Sequence, residues 1–144
     1  PDALGGTATP AVGAARYTTY AQYPPIPTDT PDTDVPAPPA SAPADVTLEF
    51  TGADGTSSYT SAGGANASVT IESGATLTIT NNTGGHPVDV RVADGGDTVS
   101  TGTLTGAPAG PGKSLTWDTT GVTAGTYYYQ CTAHATMIGQ IIVT

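Results

Sequence analysis

An all-β domain behind an extended, proline-rich arm is what this sequence predicts, on three observations. Glycine (19) and proline (13) are plentiful and threonine is abundant, a composition poor in helix formers and rich in turn and strand residues. Short alternations of apolar and polar residues recur between turn clusters. No segment keeps a helical period over about ten residues. About seven or eight short strands with frequent turn signals argue a Greek-key β-sandwich.

Residues 1 to 44 form the arm. Pro24-Pro25-Ile26-Pro27, Pro36, Pro38-Pro39 and Pro43 interrupt every periodic pattern. Such a segment offers too little apolar area to offset its ordering entropy, so extended or polyproline II chain is expected from residue 24 onward. Tyr17, Tyr20 and Tyr23 recur at the three-residue spacing of a polyproline helix, which aligns their rings along one edge. An ordinary linker with scattered tyrosines is the plain alternative. The sharper expectation is an adhesive arm, laid on the β-domain of its own or a second copy by addition to a sheet edge. Self-assembly through residues 1–44 would make the chain a structural subunit of an extracellular assembly or filament.

Residues 45 to 144 carry the strands. Val46-Thr47-Leu48-Glu49-Phe50 alternates, as do Ala67 to Ile71 and Ala75 to Thr80. Asn81-Asn82-Thr83-Gly84-Gly85 is a turn cluster, after which Val88, Val90 and Val92 share a face. Asp94-Gly95-Gly96-Asp97 turns again, Ser114 to Asp118 and Thr126 to Cys131 follow, and Ile138 to Val143 closes the domain.

The formal net charge is −9, with Arg16, Arg91 and Lys113 the three basic residues. That balance disfavours nucleic acid and anionic membrane surfaces as partners, and a basic or neutral protein fits better. No apolar run approaches the ~20 residues of a membrane span. A single cysteine rules out an internal disulfide. Asn66-Ala67-Ser68 and Asn81-Asn82-Thr83 match the glycosylation sequon, a short pattern that chance often supplies.

Chemistry concentrates between the last two strands. Cys131, His134 and Met137 are the only cysteine, one of two histidines and the only methionine. Period 2 places Tyr127, Tyr129 and Cys131 on one face, and the odd residues from Met137 to Val143 on another inward face, with Gly139 allowing close approach. Taken singly, a lone Cys or Met is core filler and a lone His a surface residue. Together they form a thiolate, an imidazole and a thioether on one loop. His86, after the glycine-rich turn, is the remaining histidine and the natural fourth donor. One thiolate, two imidazoles and a weak axial thioether is the donor set of a soft mononuclear copper site. Zinc also binds Cys and His.

The segment from Gly125 resembles the C-terminal signature of the cupredoxins, the blue copper proteins. Gly125, Tyr127, Tyr129, Cys131, His134, Met137, Gly139, Ile141 and Val143 match it in turn. Among plastocyanin- and amicyanin-like members, the Cys-x2-His-x2-Met spacing is the short-loop form, as in amicyanin. Asn81 to His86 is similar to the strand end that leads to the family's first histidine ligand. The resemblance spans residues 45–144. It implies one type 1 copper ion held by His86, Cys131, His134 and Met137, with Met137 axial. It implies an electron-transfer protein cycling Cu(II)/Cu(I), not an enzyme, in a periplasmic or extracellular (cell-surface) setting. A redox protein would dock near His134, over a patch from Pro87, Ala133, Ala135 and Ile138.

Three features depart from or extend that pattern. Many cupredoxins carry Asn after the first histidine, where it ties two ligand loops together, and here Pro87 stands instead. Thr132 is then the candidate hydroxyl partner. Ala133, Ala135 and Thr136 replace the proline of the amicyanin loop, which predicts a softer loop without metal. The Gly85 carbonyl is a candidate weak fifth contact, as in azurin. A copper oxidase or nitrite reductase needs a second, histidine-rich site, for which two histidines do not suffice. Copper delivery calls for open, Met- or Cys-rich ligation, which one Met does not provide.

Overall fold

The alternating segments pair into two sheets in the computed structural model, which describes residues 36–144. The chain divides into Pro1–Pro39 and Ala40–Thr144, and all strands of the described residues lie in the second unit. Tyr17, Tyr20 and Tyr23, and with them the expected self-assembly of the arm, lie outside the described residues. Residues 36–45 carry no helix or strand and are mostly exposed.

Ten strands follow in order: β1 Val46–Asp54, β2 Ser58–Ser61, β3 Gly64–Ala65, β4 Val69–Ile71, β5 Thr76–Asn81, β6 Val88–Arg91, β7 Thr103–Thr105, β8 Lys113–Asp118, β9 Gly125–Cys131 and β10 Ile138–Val143. One sheet has the order β3-β2-β1-β5-β8-β7 and the other β4-β10-β9-β6. β1 runs parallel to β5 and β4 parallel to β10, and the other pairs are antiparallel. The described residues contain no helix. The all-β sandwich expected from composition is therefore the observed fold.

The core sits between the sheets, and period-2 alternation selects its members. On β5, Leu77, Ile79 and Asn81 face inward while the intervening threonines are half-buried. Leu115 and Trp117 do the same on β8, and Tyr129 and Cys131 on β9. On β10 the inward set is Gly139, Ile141 and Val143, in phase with buried Met137 just before the strand. Phe50, Tyr59 and Tyr129 form an aromatic cluster. Phe50 stacks on Tyr59 at 4.2 Å between ring centroids and 13° between planes, and Tyr129 meets Phe50 at 5.1 Å.

The pattern differs from expectation in two places. Three short strands, β2, β3 and β7, bring the number to ten. They are brief strands in Ser-, Thr- and Gly-rich sequence, where alternation has too few residues to register. Val92 does not share the buried face of Val88 and Val90, but is 45% exposed. β6 ends at Arg91, and the chain turns back so that Val92 N–H donates to Asp97 O at 3.0 Å.

Gly139 faces Tyr129 across the β9–β10 pair, and a Cβ there would overlap the tyrosine ring. The ring is held at its far end, where the hydroxyl donates to Ala67 O at 2.7 Å. Gly139→Ala is therefore expected to destabilise the metal-free protein by about 2–3 kcal/mol, the usual cost of overpacking. Equilibrium denaturation checks this, and an unchanged midpoint would show that the ring is free to move aside.

Candidate metal centre

Two loops meet at one end of the sandwich. The first joins β5 to β6 and carries His86. The second joins β9 to β10 and carries His134. Sheet pairing brings them together, because Val88 at the start of β6 lies opposite Cys131 at the end of β9. The pairing continues past the strand ends, with Thr132 N–H donating to Pro87 O at 2.9 Å.

Within the second loop the backbone closes on itself. Cys131 N–H donates to Met137 O at 2.9 Å, and Met137 N–H donates to His134 O at 3.2 Å. These bonds lift His134 to the loop's apex, half-buried, while Cys131 and Met137 are buried. His86 Nδ1 and His134 Nδ1 are 3.1 Å apart, and Cys131 Sγ is 3.5 Å from His134 Nδ1. The three donor atoms of His86, Cys131 and His134 all lie within 4.8 Å of one another. One ion with ordinary metal–nitrogen bonds of ~2.0–2.1 Å and a metal–sulfur bond of ~2.3 Å can bridge such spacings. The donor chemistry, one sulfur and two imidazole nitrogens, fits a soft or borderline metal. Of the four residues expected from the sequence, these three converge side chain to side chain. Met137 joins them through its backbone and its burial.

The first loop is held by residues that the sequence did not single out as site residues. Asn81, fully buried at the end of β5, donates from Nδ2 to His86 O and to Ala109 O, each at 2.8 Å. Its Oδ1 accepts from the Thr83 N–H at 3.0 Å and the Thr83 hydroxyl at 2.6 Å. Tyr59, on β2 of the same sheet, donates its hydroxyl to His86 O at 3.0 Å, with Pro87 O at 3.3 Å. Burial first, and then the neighbouring Cys131, push Tyr59 well above the usual tyrosine range, so its hydroxyl keeps its proton. Period 2 would have placed Asn81 on the inward face with Leu77 and Ile79, which is a legible signal of a buried amide. Thr132, expected to contribute a hydroxyl, is exposed and ties the loops through its amide instead.

The second loop is braced from both sides. The turn and hairpin around β2 and β3 clasp it: Thr136 Oγ1 donates to Thr56 O at 2.7 Å, and Asn66 Nδ2 donates to Thr136 O at 3.3 Å. On the outer face, buried Gln130 donates from Nε2 to Ala135 O at 2.9 Å and accepts from Gly95 N–H at 3.0 Å. The softness expected from Ala133, Ala135 and Thr136 is thus countered by external hydrogen bonds rather than by proline. Both sequon asparagines have their amides engaged, Asn81 in the core and Asn66 in this clasp.

Removing Asn81 would leave the Thr83 N–H and hydroxyl without this acceptor, a loss of about 1–3 kcal/mol for each buried group left unpaired, and would take one of two donors from His86 O and Ala109 O. Asn81→Ala should therefore lower the stability of the metal-free protein by about 3 kcal/mol. Exposed Asn82, bonded only to Glu49 through its side chain, should cost under about 0.5 kcal/mol as Ala. Urea melts of the two variants make the comparison, and equal losses would show that the Asn81 network does not carry this end of the sandwich.

No protein-family model matches the chain, and no curated protein matches it. Among solved structures it is similar to rusticyanin from Thiobacillus ferrooxidans, at 24% identity over 69% of this chain and 78% of that one, with a TM-score of 0.46. It is also similar to a purple cupredoxin from Nitrosopumilus maritimus, at 22% identity over 69% of this chain and all (100%) of that one, with a TM-score of 0.48.

Proposed function

We propose that this chain is a single-copper, type 1 electron-transfer protein, with His86, Cys131, His134 and Met137 as the ligands. The observation that carries the proposal is the convergence of His86 Nδ1, His134 Nδ1 and Cys131 Sγ at the junction of two braced loops. A thiolate with two imidazoles and a weak thioether is the ligand set of such sites. Bound copper would supply one-electron chemistry, cycling between Cu(II) and Cu(I).

The chain's own residues serve that chemistry by holding still. The Asn81 hydrogen bond to His86 O fixes the first loop, and those to Thr136 O and Ala135 O fix the second. A preformed donor set changes little between two oxidation states, so electron transfer needs little rearrangement. Burial of Cys131 and Met137 excludes water from the sulfur side, whereas His134 is half-exposed. His134 is the electron port in this proposal. Exposed Ala133 and Ala135, with half-buried Pro87 and Ile138 nearby in the chain, supply a small-residue surface around it. A net charge of −9 favours a basic or neutral redox partner. We place the metal-holding domain at residues 45–144, the protein in the periplasm or extracellular space, and the chain outside the enzymes. Among the described residues, no helix is long and apolar enough to cross a membrane.

The decisive measurement is the visible spectrum after copper loading, together with metal analysis against zinc. An intense thiolate-to-copper band at one copper per chain is expected. Its absence from the copper-loaded protein would defeat the proposal. Cys131→Ser should abolish the band, because a hydroxyl is a poor soft-metal ligand. Met137→Leu should keep the band and raise the reduction potential, since an apolar axial neighbour disfavours Cu(II). Voltammetry of the pair checks this, and a band that survives in the Cys131 variant would remove the thiol from the ligand set.

A further inference from the structure

A metal-bound thiolate is a strong hydrogen-bond acceptor, and the donors around it help set the properties of the metal. In this chain the residue after the first histidine cannot be such a donor, because Pro87 has no N–H. The Thr132 N–H, next along from Cys131, is already given to Pro87 O at 2.9 Å. The side chain that stands at this junction comes from elsewhere. It is Tyr59, fully buried.

The hydroxyl of Tyr59 has one hydrogen and two carbonyl neighbours, His86 O at 3.0 Å and Pro87 O at 3.3 Å. Neither carbonyl depends on it. His86 O also accepts from Asn81 Nδ2 at 2.8 Å, and Pro87 O from the Thr132 N–H. The tyrosine hydrogen is therefore surplus to the backbone's needs. Pro87 and Thr132 flank the paired residues Val88 and Cys131, so a group touching Pro87 O lies beside the cysteine.

The ring is fixed in that position. Phe50 stacks on one face, and Tyr129 approaches edge-on at 6.0 Å. Its backbone is pinned on both sides by Asn66: the Tyr59 N–H donates to Asn66 Oδ1 at 2.9 Å, and the Asn66 N–H donates to Tyr59 O at 2.9 Å. Among the described residues, Asn66 is the one non-glycine residue with positive φ (45°), a conformation that asparagine tolerates better than most.

We propose that Tyr59 is a positioning and tuning residue of the metal centre, turning its hydroxyl hydrogen from the His86 and Pro87 carbonyls to the Cys131 sulfur when that sulfur is a metal-bound thiolate. This rests on the copper assignment above. The hydrogen bond withdraws electron density from sulfur. It therefore stabilises the reduced site over the oxidised one and raises the energy of the thiolate-to-copper transition.

Tyr59→Phe removes the hydroxyl and keeps the stacked ring. The oxidised variant should show its thiolate-to-copper band at longer wavelength than the parent, with a lower reduction potential. A purely structural tyrosine would lower the unfolding midpoint of the metal-free protein but leave band and potential unmoved, and that result overturns the proposal. If the variant does not fold, the parent decides. In the Cu(I) protein, which is diamagnetic, the Tyr59 hydroxyl proton should exchange slowly and show NMR cross-relaxation to the Cys131 β protons. Lack of that cross-relaxation overturns the proposal. A parent protein with no thiolate–copper band would fail at the copper assignment itself and take the tuning role with it. A normal parent band with an unshifted variant would remove Tyr59 alone.

Discussion

His86 sits on a loop that has no strand of its own, and its carbonyl oxygen accepts from both Asn81 and Tyr59. Both donors belong to the six-stranded sheet, whereas Cys131 and the loop of His134 extend from the four-stranded one. Asn81, whose amide also holds Ala109 O and Thr83, is the fixed restraint on that loop, and Tyr59 adds a second contact to the same carbonyl. Loss of either would leave a polar backbone group with fewer partners and the first ligand loop with fewer restraints.

A second layer of restraint serves the other loop. Thr136 and Asn66 bind it to the turn and hairpin around β2, and Gln130 binds it to the turn after β6. The two layers share one element, since β2 also carries Tyr59. One short edge hairpin therefore restrains both ligand loops. Asp89 and Thr98, joined by a side-chain hydrogen bond on the same outer face as Gln130, tie the start of β6 to the end of that turn.

The part of the molecule nearest the ligands was the most legible in the sequence. Strand alternation set Tyr129, Cys131, Met137, Gly139 and Ile141 facing inward, and rarity singled out the cysteine and histidines. Those signals work because period 2 and unusual chemistry are both local. The supporting residues were legible only in part. Asn81 shares its parity with Leu77 and Ile79, so its burial follows from the strand, but its partners at His86 and Ala109 do not. Tyr59 lies in a four-residue strand amid serine, threonine and glycine, where no pattern marks it. Its role arises from contacts with residues 27 and 28 positions away. The hydroxyl expected from Thr132 was sought next to Cys131 in sequence, whereas the sandwich brings one from a different sheet.

The same long reaches have a kinetic consequence. The contacts that build this end of the sandwich close loops of 27, 48 and 80 residues, from Tyr59 to His86, from His86 to His134 and from Thr56 to Thr136. The last strand, β10, pairs in parallel with β4, so a sheet edge waits for the end of the chain. Folding dominated by such non-local pairings is slow, on the order of milliseconds to seconds, because loop entropy is lost before contacts compensate for it. Cys131, His134 and Met137 lie within seven residues of one another, but His86 stands 45 positions before Cys131, so the full donor set gathers only when this end of the sandwich closes. In this topology the complete constellation of donors is a late product of folding.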